Sequence, residues 1–549
     1  MKTSIYQDRI VDWAKNNNGR HCCVNAVAGS GKSTTLLLVA KALQSIGYRP
    51  SNIKIIVFGK ANSIDLIKKF GREWESSINT LHSVGWQLIK SAIRINDPRN
   101  AIKSNKYKLL AQDIGLISKG GMMGDLRREG AIGKEDEFVK LLDLCRLTNQ
   151  EPIAEVIEDL CDHFELSDIR GYSVVASAVA QVLRKGESLA KSGQSFDFTD
   201  QIWLPVKWQI PVRPYSLVLV DEAQDLNAAQ LELALMLAGD RGRILAVGDK
   251  NQAIMGFAGA DDRSFEKIVE RLKPIELPLS ICYRCPKSHI QLVKSLFPNI
   301  AIEASENAID GKIESIFTNE LKQKLRTGDM VISRKTAPLV SLCIKLISQG
   351  IAATVKGKAI GAQLKGDLQE IAKMPGFKSY YHFNLALQQY KNAKELLWKG
   401  KDNEEQLLEN LTDKLDALQC IYSYQPSLRS ISQLEDYIDS LFSDGDSPII
   451  LSTCHRAKGL EAERVFIIKP EDMPMVWRNQ QNWQYQQEEN LLYVALTRSK
   501  SELYIVGSPD WLEEESQQSD EVEDSWIQPS LLDLIHAPAL SSNSRFDDL

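Results

Sequence analysis

The sequence predicts an α/β fold of parallel sheets, interrupted twice by helical stretches. Three observations carry that expectation. Residues 24–35, VNAVAGSGKSTT, run from an apolar strand through a small-residue loop into an apolar helix. Further short apolar runs, at 53–58, 217–220 and 244–247, stop at glycine or acidic residues, as the strands of a parallel sheet do at a ligand-bearing edge. Residues of about 90–195 and 366–445 are helical, charged and without a strand–turn–helix rhythm.

The first of these stretches has the pattern of a phosphate-binding loop, with Ala26 in place of the first glycine. Gly29 and Gly31 allow the backbone to curl so that successive N–H groups face one concavity, and the helix N-terminus behind them adds partial positive charge. Ala28, Gly29, Ser30, Gly31, Lys32, Ser33 and Thr34 are therefore the candidate phosphate cradle. Lys32 would reach the outer phosphates and Ser33 would offer a hydroxyl to Mg²⁺. A glycine-rich turn without a ligand is the plain alternative.

Bulk properties set limits. The 549 residues are too many for one core, so several domains are expected. No segment approaches the ~20 apolar residues of a membrane span, and MKTSIYQDRI has no apolar signal region, so neither membrane insertion nor export is expected. The nine cysteines occur singly or in adjacent pairs, apart from Cys282-Tyr-Arg-Cys285, and suit a reducing cytoplasm, such as a nucleoid or a phage-infected cell. The cysteine pair has redox or zinc spacing but no second pair beside it, and reads as incidental. A formal charge of −6 argues against a generic basic nucleic-acid coat and leaves room for a local groove.

Taken in order, Gln7 precedes the loop, where a side-chain amide could pair with an adenine edge; a surface glutamine on an amphipathic helix is the alternative. The 53–58 strand ends in Phe58, Gly59 and Lys60 and leads into a helix to about Phe70. In the stretch INTLHSVG, Thr80, His82 and Ser83 could bond sugar–phosphate or cap the helix that follows. The basic run at 103–108 and Arg127-Arg128 could touch nucleic acid or be solvated helix faces. The strand at 217–220 ends in Asp221-Glu-Ala-Gln-Asp225. Asp221 suits a Mg²⁺ contact and Glu222 the base that orients a water. The next strand leads to Gln252, a candidate γ-phosphate sensor, and to Phe257, a base-stacking or core aromatic.

A second sheet is expected to begin near Ile275, with Arg284 after an apolar turn, a strand and turn over 328–334, and strands at about 351–355, 449–453, 465–468 and 503–506. Residues 391–418 form the clearest amphipathic stretch of the second insertion. A helix over 490–497 precedes Arg498. From about 509 the composition turns to acid, serine and proline, the pattern of a disordered tail that solubilises the chain or docks a protein partner. The expected division is 1–89 and 196–274 for a first domain around an insertion at 90–195, 275–365 and 446–508 for a second around an insertion at 366–445, and a tail at 509–549.

The series of motifs resembles the UvrD/Rep-like family of superfamily 1 helicases. Gln7, AVAGSGKST, VFGKANS, TLHSVG, DEAQD, VGDKNQAIMGF, LSICYRCP, STCHRAKGLEAERVF and ENLLYVALTRSK follow the family's order up to about residue 508. The resemblance implies two RecA-like P-loop NTPase motor domains with ATP and Mg²⁺ in the cleft between them. Lys32, Ser33, Asp221 and Glu222 would hold and hydrolyse the nucleotide; Gln7 and Tyr283 would read and stack its base; Glu461 would touch the ribose. Gln252, Arg284 and Arg498 would meet the γ-phosphate. Single-stranded DNA would cross both lobes over Phe58, Lys60, Thr80, His82, Phe257, Thr453 and His455, with the family's usual 3′ to 5′ polarity.

The sequence departs from that pattern at Gly59, where asparagine is frequent, at Met255 for tyrosine and at Ala258 for arginine. The second insertion is short, and no nuclease-like module appears near the C-terminus. Activity is thus expected to be DNA unwinding at single-strand/duplex junctions in replication, repair or recombination. A DNA-stimulated ATPase that strips protein from DNA and an RNA-directed motor are the alternatives.

Overall fold

The computed structural model describes residues 3–16, 19–119, 122–166, 168–254, 264–400, 403–445 and 447–513. The first sheet comprises β1 (Cys22–Ala26), β2 (Ile53–Val57), β3 (Ile78–Thr80), β4 (Leu217–Val220), β5 (Arg243–Gly248) and β6 (Ile275–Leu279). All are parallel, in the order β3-β2-β4-β5-β1-β6. Both faces are covered, as a parallel sheet requires. Cys22 and Val24 pack into one core with Leu36, Val39 and Leu43 of the following helix, while Cys23 packs into the other with Leu233 and Leu237.

β6 corrects an expectation. Ile275 was to open the second sheet, yet Ile275–Leu279 lies on β1, with Cys22 opposite Ile275 and Ala26 opposite Leu279. Pro278 is tolerated there because β6 is an edge strand. A short apolar run states that a strand exists but not which sheet it joins. The chain leaves the first lobe through β7 (Ile281–Cys282), which pairs with β8 (Glu303–Ala304).

The second sheet holds β9 (Lys312–Ile316), β10 (Met330–Ser333), β11 (Ala353–Val355), β12 (Ile449–Thr453), β13 (Ala462–Ile468) and β14 (Ser499–Val506), in the parallel order β11-β12-β10-β13-β14-β9. β9 was not anticipated: it is a half-exposed edge strand with polar residues alternating among few apolar ones.

The two helical stretches differ in kind. The first has its own core, built on Phe138, Leu141, Leu142, Val179 and Val182. It extends beyond 195, because the Asp200–Lys207 helix places Trp203 and Leu204 in that core. The second stretch starts at Lys358, directly after β11, and shares one core with the second sheet: Phe383, Leu415 and Leu434 belong with Val331, Leu451 and Phe466. Asp413 reinforces the union by accepting the backbone N–H groups of Thr336 (2.9 and 2.8 Å) and Ala337 (2.8 Å), which open the Ala337–Ile347 helix. The amphipathic stretch at 391–418 is two helices, Phe383–Trp398 and Glu404–Tyr424, broken where Gly400 takes a left-handed φ of 78°.

The chain divides into Met1–Gly507 and Ser508–Leu549. The described part of the latter holds the short helix Asp510–Glu513; the rest of the acidic tail lies outside the described residues. Among the described residues no helix is long and apolar enough to cross a membrane.

Candidate nucleotide and nucleic-acid site

The phosphate loop leaves β1 and turns through Gly29 (φ 65°) and Gly31 (φ 80°), both left-handed. Gly31 is the N-cap of the Lys32–Ser45 helix and supplies no side-chain cap, so the first-turn amides are left to a ligand. Gly29 is also fixed by proximity: a Cβ there would lie 2.6 Å from Arg284 Cβ and 3.0 Å from Cys282 Sγ. The Tyr283 N–H donates to the Gly29 carbonyl (2.9 Å), and the Val27 N–H to that of Leu279 (3.1 Å). The segment leading to the second lobe is thereby bonded along the loop.

Lys32 Nζ lies 2.8 Å from Glu222 Oε2. Burial opposes its charge, but the carboxylates of Glu222, Asp249 and Asp221 prevail and raise its pKa. Burial and the Glu222 charge push Asp221 upward; Lys32 and then Lys458 hold Glu222 low against its own burial. Glu222 has a left-handed backbone (φ 52°, ψ 47°), a sparsely populated conformation for a residue other than glycine. Ser30 Oγ is buried with no hydrogen-bond partner. A lysine, two acids, a serine hydroxyl at the helix start and open amides form a donor set that fits a triphosphate with Mg²⁺.

A cavity of about 830 Å³ joins this cradle to the second lobe. Gly29 to Thr34, Asp221 and Glu222 line one side; Tyr283, Arg284 and Glu461 line the other, with Lys500. Arg284 Nε donates to Glu461 Oε2 at 2.7 Å. Other predicted residues are not brought into the cavity. Gln7 is 5% exposed, and its amide is occupied: Oε1 accepts the Ser4 N–H in a capping box and Nε2 donates to Thr35 Oγ1 (3.2 Å). Ala28 turns its N–H to Tyr493 Oη (2.9 Å), and Gln252 Nε2 donates to Asp249 Oδ2 (2.6 Å). Arg498 is 1% exposed and donates to the carbonyls of Val494 and Leu460 and to Thr497 Oγ1; burial, then Arg284, lowers its pKa to about 10.

Sequence reasoning missed three residues of the interlobe contact. Lys458 Nζ donates to both carboxylate oxygens of Asp225 and to the Gln252 carbonyl (2.6 Å). Tyr493 donates to Asp249 Oδ2 (3.3 Å), and Asn490 Nδ2 to the Ala253 carbonyl (2.9 Å). All three lie inside motifs quoted above, but spacing alone does not show which side chains face the other lobe.

The nucleic-acid candidates stand at the carboxyl ends of strands, where parallel sheets bind ligands. Phe58 and Lys60 follow β2 and are exposed. Thr80 ends β3 and caps the Leu81–Ala92 helix by accepting the Ser83 N–H (3.2 Å), the capping role of its two readings. His82 meets Phe198 edge-on (centroids 6.4 Å), and Phe198, unremarked in the sequence, is 60% exposed. Thr453 is buried at the end of β12; His455, in the next turn, has its pKa lowered to about 3 by burial and by Arg334 and Arg456. Phe257, with Met255 and Ala258, lies outside the described residues. The basic run at 103–108 is not one solvated face: Lys106 is 2% exposed and donates to Asp200 (2.6 Å) in a buried network with Arg146, Asp197 and Tyr107.

Cys282 and Cys285 are both buried, and the Cys285 N–H donates to Cys282 Sγ (3.3 Å). Hydrogen bonding from the Cys285 side chain, opposed by burial, lowers the Cys282 thiol to about 7.

A glycine-rich phosphate loop on one six-stranded parallel sheet, faced by a second such sheet, defines a protein of two RecA-like domains. Comparison with known proteins specifies the class further. Residues 12–273 match the UvrD/REP helicase N-terminal domain and residues 448–506 the UvrD-like helicase C-terminal domain. The chain belongs to the UvrD/Rep helicase family. It is 27% identical over 315 residues to F-box DNA helicase protein 1 of Schizosaccharomyces pombe, covering 53% of this chain and 34% of that protein. It is 25% identical over 264 residues to the ATP-dependent DNA helicase Rep of Escherichia coli, covering 44% and 35%. A probable DNA helicase II homolog of Mycoplasma genitalium is 23% identical over 455 residues, 64% of each chain. The matched region thus spans about a third of the first two relatives.

Proposed function

We propose that this chain is an ATP-driven motor that moves on single-stranded DNA, in the 3′ to 5′ direction, and unwinds duplex at junctions. One observation carries the reading: the phosphate loop, the acid pair, the arginine of the interlobe segment and the second-lobe Glu461 converge on a single cavity. Such a site is completed only when the lobes close, which couples hydrolysis to motion. Lys32 and the loop amides neutralise the phosphates. Ser33 and Asp221 would hold Mg²⁺, which would supply positive charge to the phosphates. Glu222, kept ionised by Lys32, accepts the proton of the attacking water. Tyr283, 48% exposed in the cavity wall, offers the base a stacking face. Arg284 supplies the guanidinium for the transferring phosphoryl group, a contribution worth ~10³–10⁵ in rate in this chemistry. The two sheets serve as the motor halves, and the acidic tail as a docking segment for a protein partner.

A second reading is favoured by the continuous core that ties the second helical stretch to its sheet. A fused body makes a poor independent wedge, and the motor would then strip proteins from DNA rather than unwind processively.

Unwinding of 3′-tailed against 5′-tailed duplexes tests the proposal. ATP-dependent unwinding of the 3′-tailed substrate alone is expected, and its loss in Lys32→Ala. Equal unwinding by Lys32→Ala would defeat it. Filament clearing without unwinding would select the second reading.

A further inference from the structure

Glu461 receives two cations. Its Oε2 accepts Arg284 Nε at 2.7 Å, and its Oε1 accepts Lys500 Nζ at 2.6 Å. All three side chains line the cavity that faces the phosphate loop. Their supports differ. Glu461 immediately precedes β13 and Lys500 is the second residue of β14, neighbouring strands that pair from Ala462 and Ser499 onward. Arg284 comes from the segment that links the lobes and is otherwise held here by one longer bond, Nη1 to the Thr497 carbonyl at 3.3 Å. Lysine and glutamate are thus anchored to one sheet, while the arginine is the partner free to be exchanged.

We propose that Lys500 is a positioning residue for triphosphate capture: it retains Glu461 so that Arg284 can leave that carboxylate for the γ-phosphate. The proposal rests on the reading of the cavity as an ATP site. One carboxylate cannot satisfy two cations as well as one, so each is held less firmly than in a one-to-one pair. Phosphate oxygens offer a guanidinium a bidentate alternative. Once Arg284 has moved, Lys500 still neutralises Glu461, which would otherwise set a bare negative charge against the arriving phosphates. The pull of Lys500 and Arg284 keeps the Glu461 carboxyl below its usual range in spite of partial burial. Without Lys500, Arg284 would be the sole counter-ion and would stay.

The consequence is selective. Lys500→Met should weaken binding of a ligand with a γ-phosphate and leave a diphosphate nearly unaffected. Calorimetry on the full chain with Mg²⁺, using a non-hydrolysable ATP analogue and ADP, reads this directly. The analogue's Kd is expected to rise about 3- to 10-fold, as for a partly exposed ion pair, and that of ADP less than about 2-fold. Lys500→Arg should restore the preference. So should Lys500→Met combined with Glu461→Gln, because the neutral amide no longer detains Arg284. Equal weakening of both nucleotides, no weakening, or failure of Glu461→Gln to restore the preference overturns the proposal. Wild-type protein that binds neither nucleotide overturns the ATP-site reading and this inference together; tight wild-type binding with an unchanged Lys500→Met overturns this inference alone.

Discussion

Lys458 of the second lobe places Nζ 2.6 and 2.8 Å from the two carboxylate oxygens of Asp225 in the first. Both side chains are nearly buried, at 11% and 3% exposed. The same amine reaches the Gln252 carbonyl, so one cation joins the segment after the acid pair to the loop after β5. Removing one member of a buried pair strands the other charge, which costs about 3–5 kcal/mol. Lys458→Ala should therefore favour the open cleft and lower DNA-stimulated ATP turnover at least tenfold. Lys458→Ala with Asp225→Asn should lose less than the two single effects combined, and steady-state kinetics on wild type, the two single variants and the double checks it.

The approach of Arg284 to the phosphate loop leaves no space for a side chain at residue 29. Gly29→Ala would add a methyl group to a left-handed residue, 2.6 Å from Arg284 Cβ. Nucleotide affinity should fall about tenfold or more while the fold survives, measured by calorimetry beside circular dichroism.

The exposed Phe198 and the half-buried His82 form an aromatic pair near the carboxyl edge of the first sheet. If the strand crosses that edge, Phe198→Ala should weaken single-stranded DNA binding by ~1–3 kcal/mol with ATP binding unchanged. Fluorescence anisotropy with a labelled oligonucleotide decides it.

Inside the first helical stretch, Arg146 Nη1 lies 2.9 Å from Asp197 and 3.1 Å from Asp200, and the guanidinium covers the Tyr107 ring at 3.7 Å. Arg146→Met leaves two buried carboxylates with Lys106 alone. That core should lose about 3–5 kcal/mol and become the first segment cut in limited proteolysis, while the nucleotide site still binds.

His289 gives a pH signature. It is 1% exposed, and burial lowers its pKa to about 4. The unfolded chain takes up a proton near pH 6.5, whereas the folded chain resists until about 4. Its contribution is therefore fully present above pH 6.5 and is lost as pH falls toward 4, by about 3 kcal/mol in total. His289→Gln should show a shallower acid loss of second-lobe stability in denaturant unfolding at pH 7, 5.5 and 4.

Local patterning determined much of this protein. The parallel-sheet class, the phosphate loop, the acid pair after β4 and the family are written in short contiguous stretches, because one loop or one strand end encodes each. Tertiary structure decided what depends on partners distant in the chain. It joined Ile275–Leu279 to β1, merged the second helical stretch with its sheet, buried Lys106 against Asp200, closed Gln7 and Arg498 upon their own neighbours and brought Lys458 and Lys500 to the cleft. Periodicity reports which residues avoid water. It carries no term for which charge, 94 or 233 residues away, will sit beside a given amine.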